Sequence, residues 1–76
     1  MEIKDAVLRR IYNLVEERKM MLNEVANRAG MTPSTLYSMT SHSQRDVKIT
    51  TIYKLCNAFN ISLQEFFDDE IFTKVE

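Results

Sequence analysis

Hydroxyl and basic side chains are concentrated in one stretch, residues 32–48, of this 76-residue chain. The first part of the stretch is rich in hydroxyl groups, which are carried by Thr32, Ser34, Thr35, Tyr37 and Ser38. The second part adds further polar and cationic groups, on Ser41, His42, Ser43, Arg45 and Lys48. Hydroxyls donate and accept hydrogen bonds, and Arg and Lys supply positive charge. These side chains are therefore suited to binding a partner that is polar and negatively charged.

These residues do not form a catalytic or metal-binding group. The chain has one cysteine, Cys56, and one histidine, His42, which excludes an internal disulfide and a zinc site of the Cys/His type. His42 falls in a polar loop, and Cys56 falls on the apolar face of a helical pattern, where packing is the ordinary role of a thiol. Without a catalytic grouping or a Gly-rich phosphate loop, we predict no enzyme, no cofactor, no metal and no small-molecule ligand.

Two short helical patterns must position the hydroxyl-rich part, and they read LNEVANRAGMTPSTLYSM over residues 22–39. The first carries an apolar stripe at helical spacing, formed by Leu22, Val25, Ala26 and Ala29. Gly30 can take a positive φ just past the end of this helix. Thr32 is a good N-cap and Pro33 suits the first position of the next helix. The stretch 22–40 therefore predicts a helix-turn-helix, whose second helix (33–40) would enter the major groove of DNA.

The remaining helices follow from apolar spacing. Residues 4–18 form an amphipathic pattern whose outer face should be solvated, with Lys4, Arg9, Arg10, Glu16 and Glu17. Residues 49–59 form a second clear pattern, and Asn60 suits a left-handed stop. Ser62 and Glu65 form a capping box that starts a fifth helix. Residues 68–70 should end or fray this helix, and the apolar residues beyond them follow no clear pattern. Four methionines, Met20, Met21, Met31 and Met39, are interpreted as gap-filling residues in or near the core.

The charge is divided along the chain. Residues 1–60 carry nine Lys and Arg against six Asp and Glu, whereas residues 61–76 carry one against five. The body is thus mildly basic although the net charge is −1, and local charge is what a phosphate backbone senses. A solvated acidic tail on a neutral domain explains the same division equally well. A chain of this length should form one domain, residues 1–76, and no apolar run predicts a membrane span, so we expect a cytoplasmic protein.

From about Ile11 to Phe67 the chain resembles the lambda-repressor-like, Xre-type (Cro-like) helix-turn-helix family of bacteria and phages. The resemblance is carried by residues 22–39 and by the later run KITTIYKLCNAFNISLQEFF. It implies an all-α fold of five helices and a transcriptional regulator, most simply a repressor, that binds double-stranded DNA.

The family pattern assigns roles to the candidate residues. It implies that the groove-facing residues are Pro33, Ser34, Tyr37 and Ser38, with Thr32 and Thr35 near the DNA backbone. The loop residues Ser41, His42, Ser43, Arg45 and Lys48 would flank the groove, and Asn23 is a weaker phosphate candidate. The recognition helix lacks Arg, Asn and Gln, so bidentate base reading is not available from it. Affinity should then depend on phosphate contacts and DNA shape.

Some positions depart from the family. Met21 stands where the family usually has a Thr or Ser at the start of helix 2, and it cannot bind phosphate through its side chain. A charged pair common in the family is replaced at both positions, by Val15 and Thr40, so no unpaired buried charge remains. His42 and Val47 stand where the family usually has Gly and Pro.

The C-terminal segment, residues 61–76, is acidic and rich in large apolar residues. Because the family commonly dimerises near its last helix, we expect a homodimer through Phe59, Phe66, Phe67, Ile71 and Phe72. Alternatively, Phe66 and Phe67 close the core. A different function also fits this segment, namely an antitoxin-like or adaptor module that binds proteins through its acidic and aromatic C-terminus.

Overall fold

The computed structural model describes residues 1–39 and 46–76, and all of the regular secondary structure in these ranges is helical. The α-helices are α1 (Ile3–Glu17), α2 (Leu22–Arg28), α3 (Pro33–Met39), α4 (Ile49–Phe59) and α5 (Leu63–Phe67). A C-terminal 3-10 helix, Glu70–Lys74, follows α5. The predicted all-α fold of five helices is confirmed, and α4 has the predicted bounds.

The turn between α2 and α3 is formed by the three residues from which the sequence predicts it. Gly30 has a φ of 74°, in the left-handed region that favours glycine. The hydroxyl of Thr32 accepts a hydrogen bond from the Thr35 backbone N–H at 3.2 Å, as an N-cap does. Pro33 is the first residue of α3. These three residues fix the angle at which α3 leaves α2.

The core lies between the five α-helices, each of which contributes buried side chains. Its largest fully buried side chains are Phe59, Phe66, Ile11, Leu36, Leu55, Val25 and Cys56. Burial raises the pKa of the Cys56 thiol above its ordinary value, and the positive charge of Arg10 opposes this rise in part. The interpretation of Cys56 as a packing residue is therefore confirmed.

The α4–α5 connection also follows its sequence signals. Asn60 adopts the left-handed conformation, with φ 60° and ψ 46°, and ends α4. The Ser62 hydroxyl accepts a hydrogen bond from the Glu65 backbone N–H at 3.0 Å. This cap starts α5 and places Phe66 at 0% exposure in the core.

Arg10 corrects the prediction of a fully solvated outer face on α1, because its side chain is buried. Its Nε donates to the Phe66 carbonyl at 2.8 Å, and its Nη2 donates to the Glu65 carbonyl at 3.0 Å. Its Nη1 binds the Asp69 carboxylate at 3.1 Å. The acceptors lie more than fifty residues away in the chain, so helical spacing on α1 does not reveal them.

The helix α5 ends at Phe67 with Asp68 as its C-cap, as predicted for residues 68–70, and the segment that follows is structured rather than frayed. Asp69 accepts a hydrogen bond from the Ile71 backbone N–H at 2.9 Å and so caps the 3-10 helix. The end of the chain then meets its beginning, since the Glu76 N–H donates to the Met1 carbonyl at 3.0 Å. The Met1 ammonium group in turn donates to the Lys74 carbonyl at 3.1 Å.

The predicted dimerisation residues separate into two groups. Phe59 and Phe66 are 1% and 0% exposed, so neither has surface to offer a second copy, and the prediction is corrected for both. Phe67 remains exposed, and Ile71 and Phe72 are half-buried. The Phe67 and Phe72 rings lie 5.0 Å apart between centroids, and the Phe66 and Phe67 rings also lie 5.0 Å apart, edge to face. The side chain of Phe67 thus covers a core aromatic while keeping one face accessible.

Candidate nucleic-acid interface

The helix α3 buries one face and exposes the other. Leu36 and Met39 anchor it in the core. The opposite face is polar, and its exposed residues are Ser34, Thr35, Tyr37 and Ser38. Pro33 is half-buried at the start of the helix. A short helix that core residues anchor at its middle and at its last residue can present its hydroxyls in a fixed geometry.

The hydroxyls of Thr32 and Thr35 interact with each other. Their oxygens lie 2.9 Å apart, and the Thr32 oxygen also accepts from the Thr35 N–H. Both hydroxyls are therefore already engaged with each other at the start of α3, although both residues are exposed. This leaves Ser34 and Ser38 as the simplest hydroxyls on α3 for contact with bases.

Tyr37 and Asn23 connect the two helices of the motif on the exposed side. The Tyr37 hydroxyl lies 3.5 Å from the Asn23 Oδ1 atom, at the long limit for a hydrogen bond. The sequence predicts both residues as candidates but not their proximity, because they lie on different helices. Their approach makes the edge of α2 part of the same surface as α3.

A groove of about 340 Å³ runs beside α3 and joins it to the start of α4. Its lining is formed by Thr35, Ser38, Met39, Asp46, Val47, Lys48 and Thr51. Lys48 directly precedes α4 and has extended backbone, and its side chain makes no capping hydrogen bond to that helix. The structure thus brings the predicted base-reading residue Ser38 and the predicted phosphate-binding residue Lys48 to one groove.

Two polar residues of this groove, Thr51 and Asp46, are absent from the sequence-based candidates. Thr51 lies in the first turn of α4, one helical turn from Lys48, and that spacing is the signal that identifies it. Asp46 is exposed on the same groove and is acidic, so it opposes the approach of a phosphate. The sequence itself indicates this effect of Asp46, because an acid between Arg45 and Lys48 lowers the local positive charge.

The predicted residues Ser41, His42, Ser43 and Arg45 lie outside the described ranges, as does Thr40. Their roles stay predictions. Val47, which stands in the place of the family's proline, is half-buried and packs against the core. That contact fixes the backbone just before Lys48.

Met21 is the most exposed large apolar residue of the described chain, with 73% of its surface accessible. It precedes α2 in extended backbone and makes no side-chain hydrogen bond. The interpretation of Met21 as a gap-filling core residue is therefore wrong. Met39 is buried, whereas Met20 and Met31 are half-buried against the core, as expected.

No group of three or more His, Cys, Asp or Glu residues in the described ranges is placed to hold a metal ion. In the same ranges, no helix is long and apolar enough to span a bilayer.

The second helix of the motif, α3, is anchored in the core by one face and carries hydroxyls on its exposed face. This arrangement is that of a helix-turn-helix DNA-binding protein. The chain belongs to the Cro/C1-type helix-turn-helix DNA-binding family, whose model matches residues 10–70. It is also similar to a solved structure described as the crystal structure of the prophage Lp1 protein 11. That similarity has a TM-score of 0.82 at 31% identity, and covers 92% of this chain and 93% of the other. A search of curated proteins gave no significant match.

Proposed function

We propose that this protein is a sequence-specific transcriptional repressor that binds its operator as a homodimer, with α3 in the major groove. The observation that carries the proposal is the polar face of α3. It is exposed along the helix, while the opposite face is anchored by Leu36 and Met39. The Thr32 cap and the Gly30 turn keep this face in a fixed relation to α2.

The contacts divide into two kinds. Ser34, Tyr37 and Ser38 read base edges by hydrogen bonds, and Pro33 packs on thymine methyl groups. Lys48 and Thr51, at the start of α4, hold the phosphate backbone on the other side of the groove. Asn23 does the same from α2, and the predicted phosphate contact of Arg45 belongs to this second kind.

Base readout from α3 is weak because a hydroxyl can hydrogen-bond to several different base edges and so discriminates poorly among them. Arg, which pairs bidentately with guanine, does not occur on α3. Specificity then needs a second contribution from DNA shape and from a second half-site, which a twofold partner supplies. The restricted chemistry of α3 is thus a reason for dimeric binding.

The alternative of a protein-binding adaptor is disfavoured by the C-terminal contacts. Asp69 is engaged by Arg10 and caps the 3-10 helix, and Phe66 is buried. These groups stabilise the fold and are not available to a protein partner. A partner would meet the remaining acids of residues 61–76 and the exposed part of Phe67, but neither Phe66 nor the engaged carboxylate of Asp69.

Selection of bound sequences from a random DNA pool tests the proposal, followed by gel-shift titration of the selected site at several salt concentrations. We expect an enriched sequence with two related half-sites about one helical turn apart, and an affinity that falls steeply as salt rises. Absence of any enriched sequence and of binding at low salt would contradict the proposal. A reporter gene placed behind the selected site then distinguishes repression from activation.

A further inference from the structure

The exposed face of α3 is divided into two rows of side chains. Residues four apart lie on the same side of a helix, so Pro33 and Tyr37 form one row and Ser34 and Ser38 form the other. The first row is apolar, because it presents a pyrrolidine ring and an aromatic ring. The second row carries only hydroxyls. A DNA duplex in contact with α3 would therefore meet two different kinds of surface.

The apolar row, Pro33 and Tyr37, lies on the side of α3 that adjoins α2. The Tyr37 hydroxyl approaches Asn23 of α2, with 3.5 Å between the hydroxyl oxygen and Oδ1. Ser38 lies instead on the side of α4, where it lines the groove that also contains Lys48. The two rows would consequently face different base positions in a major groove.

Tyr37 contributes the largest accessible apolar surface on α3. The residue is 50% exposed, and its hydroxyl acts as a donor towards Asn23. In this arrangement the hydroxyl is left to accept from a base, while the ring is accessible for packing. An aromatic ring that is half exposed on a helix in a major groove can contact any apolar group that the groove presents.

Polar readout from α3 is limited by hydrogen bonds that already exist within the chain. The hydroxyls of Thr32 and Thr35 lie 2.9 Å apart and are engaged with each other. The serine hydroxyls that remain discriminate poorly among base edges. Because α3 contains no Arg, Lys, Asn or Gln, it pairs bidentately with neither guanine nor adenine. Apolar contact is then the main source of base discrimination that this helix has left.

Thymine presents such an apolar group, because its 5-methyl group lies on the major-groove edge of the A·T pair. A ring that packs against this methyl group removes apolar surface of both partners from water, which is favourable. The same ring placed against the edge of guanine would cover polar atoms without pairing them, which is unfavourable. The apolar row of α3 should therefore favour A·T pairs.

We propose that the apolar row, Pro33 and Tyr37, selects thymine in each half-site of the operator by contact with its 5-methyl group. This inference deepens the proposed function and rests on it, because it requires α3 to lie in the major groove. It names the class of operator, in which A·T pairs stand opposite the apolar row. It also makes the ring of Tyr37 the chief specificity-determining group of α3.

Replacement of thymine by deoxyuridine tests the proposal, because it removes the 5-methyl group and leaves the hydrogen-bonding groups of the base pair unchanged. The probe is the selected duplex with one thymine replaced at a time, and fluorescence anisotropy measures the affinity. Burial of one methyl group corresponds to about a fourfold change in affinity. We expect a loss of this size at one or more thymines of each half-site. Unchanged binding after replacement of every thymine in turn would overturn the inference.

Two substitutions of Tyr37 separate its ring from its hydroxyl. Tyr37→Phe keeps the ring and should keep the preference for thymine over deoxyuridine. Tyr37→Ser keeps a hydroxyl but loses the ring, and should bind both duplexes equally at the position that Tyr37 contacts. Tyr53→Ser is the matched control, because Tyr53 is 55% exposed on α4 and does not line the groove beside α3. Circular dichroism verifies that each variant is folded. A thymine preference that persists in both Tyr37→Ser and Pro33→Ala would contradict the proposal.

A methylated cytosine distinguishes contact with the methyl group from an effect of deoxyuridine on DNA shape. In 5-methylcytosine the methyl group occupies the same place in the major groove as in thymine. At the position that Tyr37 contacts, a duplex with 5-methylcytosine should bind about fourfold more tightly than one with cytosine. Tyr37→Ser should not distinguish the two. Equal binding of both duplexes by the parent protein would overturn the inference.

The two proposals fail in different ways. The absence of any selected sequence contradicts the proposed function itself. A selected sequence that is bound tightly, but without a preference for thymine over deoxyuridine at any position, retains the proposed function and loses the inference.

Discussion

The guanidinium of Arg10 lies 3.1 Å from the carboxylate of Asp69 and joins the middle of α1 to the segment that follows α5. The same side chain donates to the Phe66 and Glu65 carbonyls. Arg10 therefore satisfies the end of α5, where backbone carbonyls lack partners within the helix. One buried cation thus holds the C-terminal segment on the body of the protein.

Replacement of Arg10 by methionine should lower the free energy of unfolding by about 2–4 kcal/mol, because the Phe66 carbonyl, the Glu65 carbonyl and the Asp69 carboxylate each lose one donor. Urea denaturation followed by circular dichroism measures the effect. Arg9→Met is the matched control, because Arg9 is exposed on the same helix, and should change stability by no more than about 0.5 kcal/mol. Equal effects of the two substitutions would show that the Arg10 contacts do not stabilise the fold.

Two substitutions of Asp69 separate its cap from its charge. Asp69→Ala removes both the acceptor for the Ile71 N–H and the partner of Arg10, and should cost about 1–2 kcal/mol. Asp69→Asn keeps an acceptor oxygen and should cost less. Thermal unfolding of the three proteins gives the order, and an Asn variant as unstable as the Ala variant would assign the whole effect to the ion pair.

Gly30 should tolerate asparagine better than alanine. No atom lies within 4 Å of the position that a Cβ would occupy, so the cost comes from the φ of 74° alone. Gly30→Ala should lose about 1–2 kcal/mol, whereas Gly30→Asn should lose less, since Asn adopts the left-handed conformation more readily. Chemical denaturation of both variants checks this, and an Ala variant as stable as the parent would contradict the turn geometry.

The stability of the fold should decline at alkaline pH in a way that depends on Cys56. Desolvation raises the pKa of this thiol in the folded state, so the native protein holds the thiol proton more tightly than the unfolded chain does. The resulting stabilisation is fully present below the pKa of the unfolded chain, about 8.5, and is lost as pH rises through the folded-state pKa. Urea denaturation between pH 7 and pH 10 should therefore show a steeper decline for the parent than for Cys56→Ala. Parallel curves would exclude a contribution from the thiol.

The two kinds of DNA contact should respond differently to substitution. Lys48→Ala should weaken binding to all sequences alike and reduce the slope of log affinity against log salt by about one. Ser38→Ala should instead relax the preference at one or two base positions. Lys54→Ala is the control, because Lys54 is exposed on α4 but does not line the groove beside α3. Fluorescence anisotropy with the selected site and with point-mutated sites measures all three, and a relaxed base preference in Lys48→Ala would reverse the assigned roles.

Local signals predicted much of this fold because their causes are local. Gly30, Thr32, Asn60 and Ser62 each act on backbone within a few residues, and each has the predicted conformation or cap. The spacing of apolar residues likewise gave the bounds of α4. The exposed polar face of α3 follows from the same spacing.

The features that the sequence did not reveal depend on contacts between distant parts of the chain. Arg10 resembles its exposed neighbours until Phe66 and Asp69 are brought to it by the fold. Phe59 and Phe66 resemble interface residues because a pattern of large apolar residues does not distinguish a core from a contact surface. The pairing of Asp69 is hidden in the same way. An acid within an acidic run forms an ion pair only if the fold brings a cation to it, and the sequence around Asp69 does not show that Arg10 does so.

The segment formed by Asp46 and Val47 lines the groove beside α3 and also a second groove of about 230 Å³, which is lined in addition by Ile3, Ile49 and Phe67. A group that binds in the second groove would therefore meet two of the residues that border the groove beside α3. Binding at the two grooves should then be thermodynamically linked. A group that shifts this segment would change the affinity for DNA by the same factor by which DNA changes the affinity for that group, because coupling free energies are reciprocal.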